Sequence, residues 1–322
     1  MNIYIKWLLG AVAACAVSLA HAQAYPSRSI VMMMPLQAGS SLDVVLRIVT
    51  QKMSESMGQP IIVDNQPGAA GMTGAERFMR AAPDGYTLAA FNDSVLTMIP
   101  NLRKKVAYDP VASFAPVSLV ANNSWILVSH PNLPVKNVAE LIALAKARPG
   151  ELNYSSGGNG SPQHIAMELF LSMAGVKLTH VPYKGTTQAT IDVISGQIPM
   201  MFSATNAVMA HVRDGKLRGL GTGGATRSPL LPAVPTVAEA GVPGYEFVTW
   251  LGIFAPLNTP KEIISTVNAE VAKALSAPDV RERLAAQGLE IQTSTPDELA
   301  ALTKNRLAQM ARIIKDAGIA SE

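Results

Sequence analysis

The fold is decided by a short stretch near the start of the chain, Ser29-Ile30-Val31-Met32-Met33-Met34-Pro35, and by the Leu36-Gln37-Ala38-Gly39-Ser40-Ser41 that follows. The first part is short and almost wholly apolar, which is typical of a strand buried on both faces of a parallel sheet. The second part is a polar turn. Apolar residues then recur three and four positions apart from Leu42 to Met57, and Gly58 ends this helical pattern. The stretch predicts a strand, a loop and a helix.

The same alternation continues on the C-terminal side. Strands are predicted at 60–63 and 86–91, and the capping-box pattern of Thr73 and Glu76 predicts the start of a helix between them. Beyond Trp125, strands predicted at 125–129, 152–155, 178–181 and 198–202 alternate with helices at 138–147, 162–174 and 188–195. A Pro- and Gly-rich segment at 226–244 precedes a strand at 246–255 and three closing helices that begin near Lys261, Pro278 and Pro296. This rhythm predicts two doubly wound α/β units.

Composition excludes several classes of protein. Of the 322 residues, 48% are hydrophobic and 15% are charged, which excludes a disordered chain. The net charge is only +3 and no basic block occurs, so no nucleic-acid partner is expected. A single cysteine excludes disulfide frameworks and Cys-based metal sites. We therefore expect neither a metal nor a cofactor.

The first 24 residues have the pattern of a signal peptide. Lys6 precedes an apolar run from Trp7 to Ala20, and small residues follow at positions 20, 22 and 24. Cleavage after Ala22 or Ala24 would release the protein into the periplasm. Two alternatives remain open: an uncleaved membrane anchor, and a lipoprotein attached at Cys15.

Loops rich in Gly, Ser and Thr follow several predicted strands and lead into helices. They contain Ser40 in the first unit, Asp93 after the third strand, and Ser155, Ser156, Gly157, Gly160, Ser203 and Thr205 in the second unit. Such loops at the carboxyl ends of strands face the binding crevice of open α/β sheets. Free amide groups and the dipole at a helix N-terminus favour a bound anion. The pattern predicts a site for a small anion.

Motifs for catalysis are absent from the sequence. It contains no Gly-x-Ser-x-Gly elbow, no His-Glu-x-x-His and no phosphate-binding Gly-x-x-x-x-Gly-Lys-Ser/Thr. His164 and His180 are the histidines that could serve a hydrolase together with a serine, although capping or packing roles are favoured for both. The prediction is that the protein is not an enzyme.

An ordered set of motifs resembles a known family. The set comprises Tyr25-Pro26-Ser27-Arg28, Val63-Asp64-Asn65-Gln66-Pro67-Gly68-Ala69-Ala70-Gly71, Ala82-Pro83-Asp84-Gly85-Tyr86-Thr87-Leu88, Phe114-Ala115-Pro116-Val117, His180-Val181-Pro182-Tyr183-Lys184-Gly185 and Pro235-Thr236-Val237-Ala238-Glu239-Ala240-Gly241. It resembles the Bug (TctC-like) solute receptors of tripartite tricarboxylate transporters. The resemblance implies a type II periplasmic-binding-protein fold, with two α/β lobes, a mixed or parallel sheet in each, and a ligand cleft between them.

The resemblance also implies boundaries and partners. Lobe 1 is expected to comprise 25–125 and 246–322, and lobe 2 to comprise 126–245, with strands crossing between the lobes near 117–129 and 246–255. The expected ligand is a small carboxylate, either a di- or tricarboxylate or an aromatic acid. The expected macromolecular partner is a membrane permease of the tripartite tricarboxylate type, and the receptor is expected to be a monomer.

Ligand-binding residues follow from matching family positions to this chain. The first loop contributes Leu36, Gln37, Ala38, Gly39, Ser40 and Asp43, and the second unit contributes Ser155, Ser156, Gly157, Gly160, His164, Tyr183, Lys184, Ser203 and Thr205. Leu36, Ala38 and Ser40 replace the Phe, Pro and Gly usual in the family, so the ligand of typical members does not transfer directly. Asp43 is expected to orient amides or water, or to meet an ammonium group if the ligand has one.

Three questions stay open at the level of sequence. A periplasmic hydrolase with a Ser/His site and a ligand sensor for a membrane kinase are the alternatives to a transport receptor. An aromatic acid could stack on Phe91, Trp125, Phe202 or Trp250, although each of these is expected in the core. The affinity for the ligand is not set by any motif.

Overall fold

The computed structural model describes residues 25–228, 231–286, 289–316 and 319. The predicted signal peptide, its cleavage sites after Ala22 or Ala24, and Cys15 lie outside the described residues. No helix in the described part of the chain is long and apolar enough to cross a membrane.

Strands and helices alternate through most of the chain. The strands are β1 (Ile30–Met34), β2 (Ile61–Asn65), β3 (Thr87–Asn92), β4 (Phe114–Ser129), β5 (Asn153–Ser156), β6 (Thr179–Pro182), β7 (Met200–Ala204), β8 (Arg218–Thr222), β9 (Val248–Pro256) and β10 (Leu289–Ile291). The α-helices are α1 (Ser41–Met57), α2 (Met72–Phe78), α3 (Ile99–Leu102), α4 (Val138–Ala147), α5 (Pro162–Ala174), α6 (Thr186–Ile194), α7 (Thr205–Arg213), α8 (Lys261–Ser276), α9 (Pro278–Ala286) and α10 (Pro296–Asp316). A π-helical turn, Ser94–Met98, precedes α3.

The first lobe is built on a mixed sheet with the strand order β10-β4-β9-β3-β1-β2. Strand β1 pairs in parallel with β2 and β3, as the continuous apolar run of Ile30–Met34 requires of a strand covered on both faces. Strand β9 is antiparallel to both β3 and β4. Helices α1 and α8 cover one face, where Leu46 and Val271 are fully buried.

The second lobe continues from the far half of β4. Its last residues, Trp125 to Ser129, pair antiparallel with both β7 and β8, whereas the start of β4 pairs with β9 in the first lobe. A separate parallel pair, β5 and β6, completes the lobe. One 16-residue strand therefore belongs to both lobes. The last helix also contacts both, since Leu299 packs in the core of the first lobe and Met310 in that of the second.

The predicted α/β class with two lobes is confirmed, and local signals placed several elements well. The helix predicted at 138–147 is α4, and its N-cap is Asn137, whose Oδ1 accepts the Glu140 N–H at 2.8 Å. The prediction for Thr73 and Glu76 was wrong. Helix α2 already begins at Met72 with Gly71 as its N-cap, so Thr73 lies inside the helix and makes no side-chain cap.

Candidate functional site

A cleft of about 790 Å³ lies between the two lobes. Its lining comes from loops at the carboxyl ends of β1, β2, β3, β5, β6 and β7, and from Asn123 and Trp125 where β4 passes between the lobes. Its lining residues include Leu36, Gln37, Gly39, Ser40, Gly68, Asn92, Arg103, Gly157, Asn159, Ser161, Gln163, Tyr183, Lys184, Gly185, Thr186, Ile191, Ser203, Ala204, Asn206, His211 and Thr249. The cleft is where the loop pattern of the sequence predicted a site.

Besides the seven-residue α2, whose N-cap Gly71 also lines this cleft, four helices of nine or more residues begin there. Their N-cap residues, Ser40 of α1, Ser161 of α5, Gly185 of α6 and Ala204 of α7, all line it. Only Ser161 makes a side-chain cap, by accepting the His164 N–H, whereas the other three N-caps make none. Each helix N-terminus carries a partial positive charge of roughly half an elementary charge. The arrangement therefore creates a positive potential in the cleft without a buried cation.

The loop between β1 and α1 is held by Asp43. The Asp43 carboxylate is almost fully buried and accepts hydrogen bonds from Gly39 N–H at 2.9 Å, Arg47 Nε at 3.0 Å and Asn65 Nδ2 at 2.9 Å. Asn65 Nδ2 also donates to Leu36 O at 3.0 Å. Burial would raise the pKa of Asp43, but the hydrogen bonds from Arg47, Asn65 and Gly39 outweigh burial and lower it. Asp43 thus orients the loop and does not itself line the cleft.

Two hydrogen bonds join the lobes across the cleft. Gln37 Nε2 of the first loop donates to Lys184 O at 3.3 Å, and the buried Ser94 Oγ donates to Gly160 O at 2.9 Å. The side chain of Gln37 lies directly over Gly185, where an added Cβ would clash with the Gln37 side-chain amide. The lobes therefore contact each other at the cleft, between Gln37 and Lys184, and beside it, between Ser94 and Gly160.

Several buried polar atoms of the cleft lining have no protein partner. They are Ser40 Oγ, Asn92 Oδ1, Gln163 Oε1 and His211 Nδ1. A buried polar atom without a hydrogen bond costs about 1–3 kcal/mol. Native proteins rarely leave such atoms unsatisfied, so these four are the atoms of the cleft lining to which a polar group of a ligand or a water molecule would bond once their side chains turn toward it.

The charged side chains in the described part of the cleft lining are all basic. Arg103 and Lys184 are the ionised side chains of the cleft, and no Asp or Glu is present among the lining residues that the structure describes. Its apolar walls are supplied by Leu36, Leu42, Trp125, Ile191 and Ile194. An ammonium group that enters the cleft loses its hydrating water, and it would need a carboxylate there to replace that water. The cleft suits an anionic group joined to an apolar body.

Eight of the sixteen predicted ligand-binding residues line the cleft, namely Leu36, Gln37, Gly39, Ser40, Gly157, Tyr183, Lys184 and Ser203. Ala38, Asp43, Asp93, Ser155, Ser156, Gly160, His164 and Thr205 lie behind them or beside them. Gly160 and His164 line a separate hollow of about 20 Å³ next to the cleft. The ligand-binding role of all sixteen stays a prediction.

The structure adds residues that sequence reasoning did not single out. Asn92 lies next to the predicted Asp93, Gln163 lies next to the predicted His164, and His211 projects from the second turn of α7. Gly68 belongs to the quoted 63–71 motif, and its φ of +145° marks a backbone turn at the cleft. Of the four aromatic residues considered for stacking, Trp125 lines the cleft, whereas Phe91, Phe202 and Trp250 are buried in the cores.

The Ser/His pair required by a hydrolase is partly present. Ser156 Oγ lies 2.6 Å from His180 Nε2, and the same hydroxyl accepts the Gly158 N–H at 3.1 Å. Ser156 is fully buried and does not line the cleft, so this hydroxyl does not face a substrate. No cluster of three or more His, Cys, Asp or Glu side chains in the described residues could hold a metal ion.

Asp93 has a different environment from Asp43. It is almost fully buried behind Asn92, and its Oδ1 has no hydrogen-bond partner. Burial raises the pKa of this carboxyl well above its usual range, although Arg306 and the Ser94 N–H oppose the shift. The folded state therefore favours the protonated form.

We expect Asp93→Asn to stabilise the protein at pH 8. The folded-state pKa lies above the unfolded value, so the unfolding free energy of the parent falls by about 1.4 kcal/mol per pH unit between the two values. The amide does not titrate and avoids this loss, and at pH 4 the gain should vanish. Urea unfolding at both pH values measures the difference. An equal change at pH 4 and pH 8 would contradict the assignment.

The fold and the cleft define a class, the two-lobed solute-binding proteins. A family model described as tripartite tricarboxylate transporter family receptor matches residues 45–319. The chain is 35% identical over 302 residues to protein BugT of Bordetella pertussis, covering 92% of this chain and 91% of that protein. It therefore belongs to the family of receptors of tripartite tricarboxylate transporters, as its motifs predicted.

Two solved structures of Rhodopseudomonas palustris proteins are similar to this chain. One, described as Rpa4515 with adipate, has a TM-score of 0.89 and 33% identity, and covers 92% of this chain and 99% of that one. The other, described as MatC with bound malate, has a TM-score of 0.85 and 32% identity, and covers 90% of this chain and 100% of that one. Similarity over both lobes confirms the periplasmic-binding-protein fold.

Proposed function

We propose that this protein captures a small carboxylate that lacks an ammonium group and delivers it to a membrane permease of the tripartite tricarboxylate type. The single observation that supports this most directly is the convergence of four N-termini, from helices of nine or more residues and three of them without a side-chain cap, on a cleft whose described lining contains no Asp or Glu. Adipate and malate, the ligands of two similar proteins, are carboxylates of this kind.

The energetics are adequate for capture without a buried cation. A hydrogen bond to a charged group contributes about 1.5–3 kcal/mol. Four such bonds, less the cost of immobilising the ligand, reach roughly 8 kcal/mol, which corresponds to a micromolar Kd. The apolar walls of Leu36, Trp125 and Ile191 add affinity for a hydrocarbon body.

The remaining properties follow from the sequence. We propose export to the periplasm by the segment 1–24, cleaved after Ala22 or Ala24, and a monomeric receptor that releases its ligand unchanged. The family supplies the transporter as the partner. The buried position of Ser156 gives no support to the hydrolase alternative.

We expect adipate to bind the mature protein with a micromolar Kd and to raise its Tm. Malate should bind roughly tenfold more weakly, because it has two fewer carbons than adipate and carries a hydroxyl group, and so offers less apolar surface to the walls of the cleft. Aspartate should bind more weakly still, because its ammonium group finds no carboxylate in the cleft lining. Isothermal titration calorimetry and thermal unfolding measure these differences.

Adipamide is the matched control, since it has the length of adipate without the negative charge. It should produce no shift in Tm. Failure of every unaminated mono-, di- and tricarboxylate to bind would overturn the proposed function. Aspartate binding as tightly as malate would overturn the exclusion of an ammonium group.

A further inference from the structure

We propose that the stacked imidazoles of His164 and His180 are positioning residues that hold the loop 156–161 in its ligand-binding shape. The loop connects β5 to α5, and four of its residues, Gly157, Gly158, Asn159 and Ser161, line the cleft. The two histidines themselves do not line the cleft. The identity of the ligand that the loop binds rests on the proposed function. The positioning of the loop by the two histidines does not depend on it.

The two rings form part of a three-ring stack behind the loop. The His164 and His180 centroids are 4.2 Å apart with planes inclined by 10°, and Tyr154 stacks on the other side of His180 at 4.9 Å and 15°. The rings come from β5, α5 and β6, so the stack joins three elements that meet at the loop. Stacking restricts the rotation of both imidazoles.

Each imidazole makes a polar contact with a different part of the loop. Gly160 N–H donates to His164 Nδ1 at 3.2 Å. His180 Nε2 lies 2.6 Å from Ser156 Oγ, and that hydroxyl accepts the Gly158 N–H at 3.1 Å. The histidines therefore fix both the first and the last turn of the loop.

The loop needs such fixing because its backbone conformation is unusual. Gly158 and Gly160 have φ values of +122° and +75°. Glycine reaches these values without strain, but it loses more conformational entropy on ordering than any other residue. Hydrogen bonds from residues outside the loop must offset that loss of entropy. Only then does the loop hold a single backbone conformation in which its remaining amide groups can face the ligand.

The contacts also define the protonation state. Because Gly160 N–H donates to His164 Nδ1, this nitrogen must carry no proton, and the ring proton lies on Nε2, which is 4.0 Å from Glu168 Oε1. Tyr154 OH donates to the same carboxylate oxygen at 2.5 Å. Burial lowers the pKa of His164 to about 4, and burial together with His164 lowers the pKa of His180 to about 3, so both rings are neutral at physiological pH.

Two pairs of near-isosteric substitutions separate positioning from bulk. His164→Asn places an amide oxygen near the position of Nδ1 and keeps an acceptor for Gly160 N–H, whereas His164→Leu has a similar size and no acceptor. His180→Gln places a polar atom near the position of Nε2, whereas His180→Met does not. All four remove the ring, so only the polar contact differs within a pair.

The first measurement needs no ligand. Amide hydrogen exchange of the segment 156–161 in the mature protein should become at least about tenfold faster in His164→Leu and His180→Met. Asn and Gln should restore most of the protection. Equal exchange within each pair, or faster exchange spread evenly over the whole chain, would overturn the proposal.

The second measurement uses adipate as the probe. We expect the Kd for adipate to rise about tenfold in the Leu and Met variants and to return to within about threefold of the parent in the Asn and Gln variants, although all four lower the Tm. His130→Leu is the control, since Asn132 N–H donates to His130 Nδ1 in a turn that does not line the cleft, and the loss of this bond should leave the Kd unchanged. A parent that binds no carboxylate would refute the proposed function and leave the exchange result to decide this one.

Discussion

Asp43→Ala is expected to weaken adipate binding by about a hundredfold. The carboxylate accepts hydrogen bonds from Gly39, Arg47 and Asn65. Its removal leaves the loop between β1 and α1 without these bonds at the N-terminus of α1. Hydrogen bonds to a charged group contribute about 1.5–3 kcal/mol each. The bond from Arg47 contributes less than the other two, because about half of the Arg47 side chain is exposed to solvent. Calorimetric titration of the variant with adipate measures the loss.

Arg47→Ala is the matched control for this prediction. Arg47 is 48% exposed, so its removal should cost less than about 1 kcal/mol. The variant loses the bond from Arg47 Nη2 to Asn65 Oδ1, but Gly39 and Asn65 can still donate to Asp43. The folding stability of the parent should also fall in acid. The pKa of folded Asp43 is lowered, so its contribution is present above the unfolded value near 4 and is lost as the pH falls through the folded value. A Kd for Asp43→Ala within threefold of the parent would refute the anchoring role.

Local signals in the sequence were sufficient for much of the framework. The helix at 162–174 was predicted with its observed bounds because Ser161 caps it, Pro162 occupies its first position and Gly175 ends it in a left-handed conformation. The polar loops before α1 and α5 were predicted to face the site for the same reason. These features depend on residues close together in the chain, so they are visible before the chain folds.

Other features depend on contacts between distant residues. Strand β8, with Gly219 and Gly221 in a short segment beside β4, has no pattern that distinguishes it from a loop, and its pairing with Val128 and Leu127 creates it. Asn92 and His211 lie more than a hundred positions apart, and only the packing of the two lobes brings both to one cleft. The sequence could indicate polar loops, but it could not indicate which side chains would lack a partner.

The mixed sheet also shows that burial of a strand does not determine its orientation. The apolar run at 29–35 predicted a strand of a parallel sheet, and β1 is parallel to both β2 and β3. The equally buried β4 pairs antiparallel with β7, β8 and β9, which agrees with the mixed or parallel sheets that the resemblance implied. Burial on both faces, which the sequence does encode, produces the same apolar run in either orientation. The orientation of β9 relative to β3 and β4 depends on how the chain returns to the first lobe, and tertiary contacts determine that return.

The largest loss of stability is expected for Trp125→Ala. Trp125 is 3% exposed and lies on β4 between the lobes, where its ring packs edge-on against Phe247 with centroids 5.9 Å apart and its Nε1 donates to Thr249 Oγ1 at 2.8 Å. Truncation of a buried tryptophan costs about 3–5 kcal/mol. Because Trp125 and Thr249 both line the cleft, the variant should also bind adipate more weakly. Urea unfolding and calorimetry measure the two effects.

Two further variants separate the roles of this ring. Trp125→Phe keeps most of the apolar wall but leaves Thr249 Oγ1 without its donor, so we expect a loss of about 1 kcal/mol in stability and a smaller change in Kd than for alanine. Trp250→Phe alters a buried tryptophan on β9 that does not line the cleft and whose Nε1 has no hydrogen-bond partner, so it should lower stability without changing the Kd. Equal effects of Trp125→Ala and Trp250→Phe on the Kd would mean that stability alone, and not the wall between the lobes, controls ligand capture.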